Sequence, residues 1–549
     1  MKPSLLVSQR PIASSIPEVS RRRFTALQTL RLAAALCLCG AASHRLAAEP
    51  EAAVPEKESG EEMPIKKEPL VAVPKEAASV THHQIKVGET TLSYTATAGN
   101  LVIHTGSEPI VSMFYVAYAL DGVKNLERRP VTFFYNGGPG SSSMWLHMGS
   151  FGPRKVDISN AAPTGPAPYR VIDNPNTLLD RSDLVFIDAP STGFSKIVGK
   201  GKGKEIWSVD GDVDAFSKLI TRWVTVNRRW NSPKVLFGES YGTTRSAALV
   251  YHLQQQGMYF NGVVLLSSVL NYESLVSPGL DEPYVNILPT YAAIAWYHDK
   301  LPHKPSDLPE FLQQVRDYAS GDYAQALAKG HTLPAAQLDA VAARLHEITG
   351  LSVQYLKEAN LRVRPGRFRK ELLRDERRTV GRYDGRYEGI DFDDAGEAAD
   401  SDPASTAITG AFTAALNSYV EEELKYSHDT PYQVRSGDIK PGEWDFKHKL
   451  PEFMDRSTPY PMAYVVQDLG QAMRENPHLK VLSANGYFDL ATPFYGTERD
   501  LDQMELDASL RDNVSFRYYP SGHMVYLNPE AHKAFREDLT KFYDSAAQP

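Results

Sequence analysis

Cysteine is almost absent from this sequence. Among 549 residues there are two, Cys37 and Cys39, and both lie near the N-terminus. If that segment is removed on export, as the next paragraph predicts, the remaining chain has no thiol and forms no disulfide. Such a protein must hold its fold by packing alone, which suits an export route that carries proteins already folded.

Apolar runs long enough to cross a membrane are also missing from the N-terminal region. Its most apolar stretch, around Leu32–Cys39, has about a dozen residues, too few to span ~30 Å of hydrocarbon. Three arginines precede it in Ser20–Phe24, and small residues follow it to Ala48. This order is typical of a secretory signal, and the paired arginines before phenylalanine resemble the bacterial twin-arginine signal. We predict a signal peptide at residues 1–48, export to the periplasm or the medium, and no integral membrane span after processing. A membrane anchor and a lipid-anchored Cys39 are less favoured alternatives.

The sequence also has no excess of basic residues. The formal net charge is −8, and residues 1–48 carry seven Lys/Arg and one acid, so their removal leaves −14. An acidic surface argues against nucleic acid or an anionic membrane as a partner. Residues 49–80 are rich in Glu, Lys, Pro and Ala without apolar periodicity, which predicts a disordered linker. The oligomeric state stays open.

The most informative stretch runs from Lys234 to Gly242. An apolar run predicts a buried strand, and Gly238–Gly242 (Gly-Glu-Ser-Tyr-Gly) then leads into a predicted helix. This is the context of a nucleophile elbow, in which glycines permit a sharp strand-to-helix turn and the hydroxyl of Ser240 is left exposed. The motif alone is weak evidence, because glycine-rich pentapeptides of this form also arise by chance.

Two downstream stretches strengthen the interpretation. Asp489 follows a predicted strand that begins at Lys480, and His523 lies in a short loop before a C-terminal helix. The order Ser, Asp, His is that of an α/β-hydrolase triad. The glycine-rich loop Asn136–Ser143 ends an earlier strand, where this fold places its second oxyanion-hole amide. The alternatives are a structural serine, a turn aspartate and a capping histidine, or a phosphate loop, which would require a following Gly-Lys-Ser/Thr.

The rest of the pattern predicts an α/β fold with a mostly parallel central sheet and helices on both faces. We predict a hydrolase core in two parts, residues 81–271 and 456–549, separated by a largely helical cap insertion at residues 272–455. The predicted strands and helices are Thr91–Thr97, Leu101–His104, Val111–Leu120, Val131–Tyr135, Asp183–Asp188 and Gly262–Leu266, then Ala335–Gly350, Ala411–Tyr426 and Pro461–Asn476.

Two patterns could suggest metals, and we predict a metal at neither. His82 and His83 are adjacent, so in a strand they point to opposite faces. Asp391, Asp393 and Gly396 copy the start of a calcium loop, but the later ligand positions carry unsuitable residues, and a solvated acidic loop is the better interpretation. No organic cofactor is predicted either.

Several separated motifs in one order resemble the serine carboxypeptidases, an α/β-hydrolase family. They are Asn136–Gly140 with Ser142–Ser143, Phe151–Pro153, Asn174–Pro175, Phe186–Pro190 with Gly193–Ser195, Gly238–Gly242, Asn485–Gly486 with Asp489, and Gly522–Val525. The resemblance implies Ser240 as nucleophile, His523 as general acid/base and Asp489 as the orienting acid.

The same resemblance implies the remaining site residues. The amides of Gly138 and Tyr241 would form the oxyanion hole, while Asn136 and Glu239 would hold the terminal carboxylate of the substrate. Family members usually pair that glutamate with a second one, which shares a proton with it, and here the position is Ser150. We expect Ser150 to help bind the substrate carboxylate by donating a neutral hydrogen bond to it instead.

A second departure fits the missing thiols, since Ser141 stands where the family usually has a disulfide cysteine. The sequence therefore predicts an exported serine carboxypeptidase acting on peptide or protein C-termini through an acyl-enzyme. An esterase or acyltransferase on the same triad, or a non-catalytic binding protein on this scaffold, are the alternatives.

Overall fold

The computed structural model describes residues 71–454 and 458–547. The predicted signal at residues 1–48 and most of the predicted linker lie outside the described residues. The first strand begins at Ala78, and the Glu76 carboxylate accepts a hydrogen bond from the Val102 amide at 2.7 Å and pairs with Arg222. The end of the predicted linker therefore packs on the core, because its side chains find partners there.

The strands are β1 Ala78–Val87, β2 Thr90–Thr105, β3 Glu108–Leu120, β4 Val131–Tyr135, β5 Arg154–Val156, β6 Val171–Asp173, β7 Asp183–Ile187, β8 Lys196–Ile197, β9 Lys234–Ser240, β10 Gly262–Ser268, β11 Thr379–Val380, β12 Glu388–Gly389, β13 Lys480–Gly486 and β14 Val514–Tyr519. The two strands predicted within residues 91–104 are one continuous strand, β2, whose partner β3 pairs along its length with a register shift near Ile103.

The helices are α1 Met144–Gly149, α2 Gly203–Ile206, α3 Val209–Val226, α4 Tyr241–Gln255, α5 Glu273–Val276, α6 Glu282–Tyr297, α7 Leu308–Tyr318, α8 Ala324–Lys329, α9 Ala335–Thr349, α10 Val353–Glu358, α11 Pro365–Glu371, α12 Pro403–Ser418, α13 Val466–Glu475, α14 Phe494–Asp502, α15 Ala508–Arg511 and α16 Pro529–Ala546. Among these described helices, none is both long and apolar enough to cross a membrane.

The central sheet has ten strands in the order β1-β2-β3-β7-β4-β9-β10-β13-β14, with β8 paired to β3. Six of its strands are parallel to one another, namely β7, β4, β9, β10, β13 and β14. The strands β1, β2 and β3 form an antiparallel edge. Consecutive buried residues of β4 and β9 belong to different apolar cores: Phe133 and Leu236 to the one that includes residues of α3, α4 and α13, and Phe134 and Phe237 to the one that includes residues of α16. The predicted α/β-hydrolase sheet with helices on both faces is confirmed.

Parallel strands determine where the candidate site forms. Because β4, β9, β13 and β14 run in the same direction, their carboxyl ends meet at one edge of the sheet. Ser240 ends β9, while Gly138, Asp489 and His523 lie in the loops that follow β4, β13 and β14. The topology thus gathers residues that are almost 400 positions apart in the sequence.

The segment between β10 and β13 is mostly helical and has its own apolar core, in which α6, α7 and α9 meet. His448, near the end of this segment, lies between two carboxylates, 2.7 Å from Asp210 of α3 and 3.1 Å from Asp468 of α13. The part of the segment around His448 is therefore attached to these two helices. The described residues belong to one compact unit, so this cap packs on the core, and its boundaries at 272 and 455 remain a prediction.

Two predicted helices differ from the observed ones. The helix expected from Pro461 begins at Val466, because the backbone of Tyr464 and Val465 pairs with the loop after β10 instead. The helix expected over Ala411–Tyr426 is the second half of α12, which starts at Pro403, followed by a π-helical turn over Tyr419–Glu423. Tertiary contacts thus override local patterning at both places.

In the two stretches considered for metals, the side chains bond to other residues of the chain. His82 contacts the Thr95 hydroxyl and His83 that of Thr81. In the acidic loop, Asp391 pairs with the buried Lys370 ammonium at 2.8 Å, and Asp393 accepts hydrogen bonds from two loop amides. Within the part of the chain that the structure describes, no three His, Cys, Asp or Glu side chains are grouped to hold a metal ion.

Candidate active site

Ser240 lies at the sharp turn between β9 and α4. Its φ of 62° and ψ of −132° fall in a region that few residues other than glycine adopt, as expected for a nucleophile elbow. The Thr243 hydroxyl donates to the Ser240 carbonyl at 2.7 Å, which stabilises the turn. The serine is partly exposed, although the strand behind it and the helix after it are buried. The hydroxyl is thus presented at the end of the parallel strands.

Asp489 and His523 form a buried hydrogen-bonded pair. The distance from Asp489 Oδ2 to His523 Nδ1 is 2.7 Å, and the Thr492 hydroxyl donates to the same oxygen at 2.6 Å. Asp489 Oδ1 accepts the amides of Ala491 and Thr492 at 2.8 and 3.2 Å. The carboxylate is held on both oxygens, so the imidazole is fixed through its Nδ1 side and its Nε2 is left for other chemistry.

The electrostatics of His523 suit proton transfer. Burial alone would lower the pKa of His523, but the charge and the hydrogen bond of Asp489 outweigh burial and raise it above its ordinary value. The ring of Tyr383 from the cap lies 5.0 Å from the imidazole ring, and the Tyr383 carbonyl accepts the His523 amide at 2.6 Å. Sequence patterning missed this cap residue because nothing local relates it to the histidine.

The glycine-rich loop after β4 lies directly against the elbow. A Cβ at Gly137 would be 2.4 Å from the Tyr241 nitrogen, so only glycine permits this approach. Arg245 of α4, fully buried and paired with Asp212, donates to the Asn136 carbonyl at 2.8 Å and fixes the start of the loop. Gly137 and the Tyr241 amide are consequently near neighbours, and an oxyanion hole formed by the amides of Gly138 and Tyr241 stays a prediction.

A strand-like cap segment, Pro431–Ser436, holds the other side of this loop. Its backbone bonds to Gly140 and Ser142 of the loop, at 2.9 and 3.0 Å, and also pairs with Gly193. Its Tyr432 hydroxyl donates at 2.7 Å to Asp188, which in turn accepts the Ser143 amide at 2.9 Å. The glycine loop is therefore held between the core helix α4 and the cap.

Ser240, His523 and the glycine loop line one cavity of about 100 Å³. Its lining residues are Asn136, Gly137, Gly138, Pro139, Gly140, Ser141, Trp145, Glu239, Ser240, Tyr383, Ser405, Arg435, His523 and Met524. A larger cavity of about 380 Å³ reaches Thr492 but does not include Ser240 in its lining. The smaller cavity is the candidate active site because it contains the reactive groups.

Glu239, beside the elbow serine, is the buried acid of this cavity. The Tyr526 hydroxyl donates to Glu239 Oε2 at 2.9 Å, and the Asn136 side chain also bonds to the carboxyl. Burial raises the pKa of Glu239 to about 7, against the opposing charge of His523. Near neutral pH this carboxyl can carry a proton and donate a hydrogen bond to an anion.

Comparison with known proteins agrees with this geometry. The family model described as serine carboxypeptidase matches residues 89–521. The chain belongs to the serine carboxypeptidase family. It is 29% identical over 182 residues to the human retinoid-inducible serine carboxypeptidase and 28% identical over 155 residues to serine carboxypeptidase-like 51 of Arabidopsis thaliana. These matches cover 31% and 27% of this chain and 36% and 31% of the relatives, about a third of their length.

Among solved structures, the chain is similar to Kex1(delta)p of Saccharomyces cerevisiae, described as a prohormone-processing carboxypeptidase. The sequence identity is 14% and the TM-score 0.45, over 82% of this chain and 91% of that one. It is also similar to the proline iminopeptidase of Mycobacterium smegmatis, at 12% identity and a TM-score of 0.35, over 82% and 98% of the two chains.

In this serine carboxypeptidase family member, Ser150 does not occupy the place expected for it. Its hydroxyl donates to the Leu146 carbonyl one helical turn back, at 2.5 Å, and the residue is fully buried outside the cavity lining. The prediction that Ser150 binds the substrate carboxylate is therefore not supported, because its hydroxyl bonds to the backbone outside the cavity, whereas the Glu239 carboxyl is reached by Tyr526. Ser150 directly follows α1, and its hydroxyl bonds to a carbonyl of the last turn of that helix.

Sequence reasoning missed Tyr526, Arg435 and Thr492 as well as Tyr383. Tyr526 lies three residues after His523 and directly follows the Gly522–Val525 motif that indicates the family, so its position is a usable signal. Arg435 enters the cavity from the cap, with its Nη2 3.5 Å from the Tyr383 hydroxyl. Among the described lining residues it carries the one guanidinium, and no local pattern predicts that placement.

Proposed function

We propose that the protein is a serine-type carboxypeptidase that removes residues from peptide C-termini through an acyl-enzyme on Ser240. The observation that carries the proposal is the 2.7 Å Asp489–His523 hydrogen bond beside a cavity that also contains Ser240 and the glycine loop. The carboxyl of Glu239 lies in the same cavity, and because its pKa is raised to about 7 it can keep a proton and donate a hydrogen bond to a free carboxylate of the substrate. Family membership supports the same reaction class.

In this mechanism Ser240 Oγ attacks the scissile carbonyl carbon while His523 Nε2 takes the hydroxyl proton. The carbonyl oxygen becomes an oxyanion that the Gly138 and Tyr241 amides stabilise, each worth about 3 kcal/mol. Collapse breaks the C–N bond, and His523 returns the proton to the departing amine. Water then repeats the sequence on the ester, with Asp489 stabilising the imidazolium in both halves.

The proposal is tested by comparing an N-blocked dipeptide with its C-terminal amide. A carboxypeptidase should cleave the free acid at least about 100-fold more efficiently, because the amide offers no charge to the groups that bind the terminus. Equal cleavage, with fast ester hydrolysis, would indicate an esterase or acyltransferase instead. Ser240→Ala should lower kcat by about 10⁴ or more while the melting temperature is retained, and near-normal activity in that variant would refute the assignment.

We also propose that residues 1–48 direct export of the folded chain to the periplasm or beyond. The support is the order of arginines, short apolar stretch and small residues, together with the lack of cysteine in the rest of the chain. Replacing Arg21, Arg22 and Arg23 with lysine should retain the protein in the cytoplasm of a host with a twin-arginine pathway. Undiminished export of that variant would contradict the proposed route.

A further inference from the structure

The contact between Tyr526 and Glu239 joins two buried side chains, and the mechanism above gives Tyr526 no role. The hydroxyl lies 2.9 Å from Glu239 Oε2, and both residues are at most 3% exposed. Burial and the neighbouring Glu239 charge raise the pKa of Tyr526 well above its ordinary value, so the phenol keeps its proton and acts as a donor. The phenol can therefore donate to Oε2 both when Glu239 is ionised and when its proton is on the other oxygen.

The consequence concerns the second oxygen of the carboxyl. Glu239 lines the catalytic cavity, and with Oε2 bonded to Tyr526 the other oxygen is the one that can carry a proton toward a ligand; the Asn136 side chain, which also bonds to the carboxyl, lines the same cavity. We propose that Tyr526 is a positioning residue for substrate recognition: its hydroxyl holds one oxygen of Glu239, so that the other carries the proton offered to the terminal carboxylate of the peptide. This inference rests on the proposed function and names the residue that orients its carboxylate-binding group.

The surroundings of Glu239 are consistent with this role. The titratable or charged groups that face it are His523 and Asp489, from the loops after β14 and β13, and Tyr526 itself, with Arg435 across the cavity. His523 acts on every substrate, so its titration cancels when a free acid and its amide are compared. Ser150 donates to the Leu146 carbonyl, so the described side chains bonded to the Glu239 carboxyl are those of Tyr526 and Asn136.

The pH dependence follows from the direction of each contact. Wild-type preference for the free acid should fall as pH rises through about 7, where Glu239 loses its proton. A donated hydrogen bond favours the ionised carboxyl, so Tyr526→Phe should move the midpoint of that fall upward by about one pH unit. At pH 5 the same variant should show a preference reduced about threefold or more, because Oε2 is no longer fixed.

The experiment measures kcat/KM for the blocked dipeptide acid and its amide from pH 5 to 9, in wild type and in Tyr526→Phe. Tyr543→Phe is the matched control, since its buried hydroxyl bonds to Thr132 at 2.7 Å outside the catalytic cavity. We expect the acid-to-amide ratio of Tyr526→Phe to shift with pH as described, and that of Tyr543→Phe to follow wild type. The amide should be cleaved at a similar rate by all three proteins.

Three results would overturn the inference: a Tyr526→Phe profile that superimposes on wild type, an equal loss on acid and amide, or a shift produced by Ser150→Ala instead. Failure of the proposed function is seen separately, in the wild-type protein alone. There it would appear as no preference for the free acid at any pH, before any variant is considered.

Discussion

Asp489→Asn is the substitution for which the structure predicts the largest effect from the smallest change. Asp489 Oδ1 accepts two backbone amides, so in the variant the amide oxygen must remain there and the NH₂ group must replace Oδ2. That NH₂ then faces His523 Nδ1, which must accept rather than donate. The proton moves to Nε2, and the imidazole can no longer take the Ser240 proton. We expect kcat to fall about 10⁴-fold, or about 5 kcal/mol in the barrier.

The assay is kcat on the blocked dipeptide acid, with the melting temperature measured on the same preparations. A second buried Asp–His pair supplies the control, because Asp468 lies 3.1 Å from His448 and neither lines the catalytic cavity. Asp468→Asn should lower the melting temperature while kcat stays within about twofold. If folded Asp489→Asn retains kcat within tenfold of wild type, the tautomer argument is refuted.

Three further predictions follow from contacts described above. His448 is buried, but its hydrogen bonds to Asp210 and Asp468 raise its pKa to about 9. The protonated imidazole therefore contributes fully to stability below about pH 6.5, and this contribution is lost as pH rises through 9. The melting-temperature difference between wild type and His448→Gln should shrink over that range, and a constant difference would contradict this. Gly137→Ala should lower kcat about 100-fold or more, because the new Cβ pushes the glycine loop from the elbow, and unchanged kinetics would show that the loop moves freely. Arg435→Gln should raise KM for the free acid about tenfold with kcat little changed, and an equal effect on the amide would exclude a carboxylate-binding role.

Much of the hydrolase core could be predicted from the sequence because its signals are local. The apolar strands, the turn at Ser240 and the glycine loop each depend on neighbouring residues, and the parallel arrangement follows from strands alternating with helices. Assignment of Ser240, Asp489 and His523 to one site then needed only the rule that parallel strands end at one edge. Their catalytic roles remain predictions, as does the export signal.

What could not be predicted depends on contacts between distant residues. Tyr526 reaches Glu239 across 287 positions, and Arg435 reaches the cavity from the cap. The prediction for Ser150 depends on its position in the family pattern, yet at the end of a helix a serine hydroxyl readily bonds to a carbonyl one turn back. The start of α13 was misplaced for a related reason, since a backbone pairing with the loop after β10 competes with helix formation there.

The segment Pro431–Ser436 has a consequence for the engineering of this enzyme. Its backbone bonds to the loop that carries Gly138, one of the two proposed oxyanion donors, and the Tyr432 hydroxyl donates to Asp188, which also bonds to that loop. An exchange of caps between relatives would therefore also disturb the loop that is proposed to stabilise the oxyanion. A chimera that grafts a foreign cap but keeps these six residues should preserve turnover better than one that replaces the insertion whole.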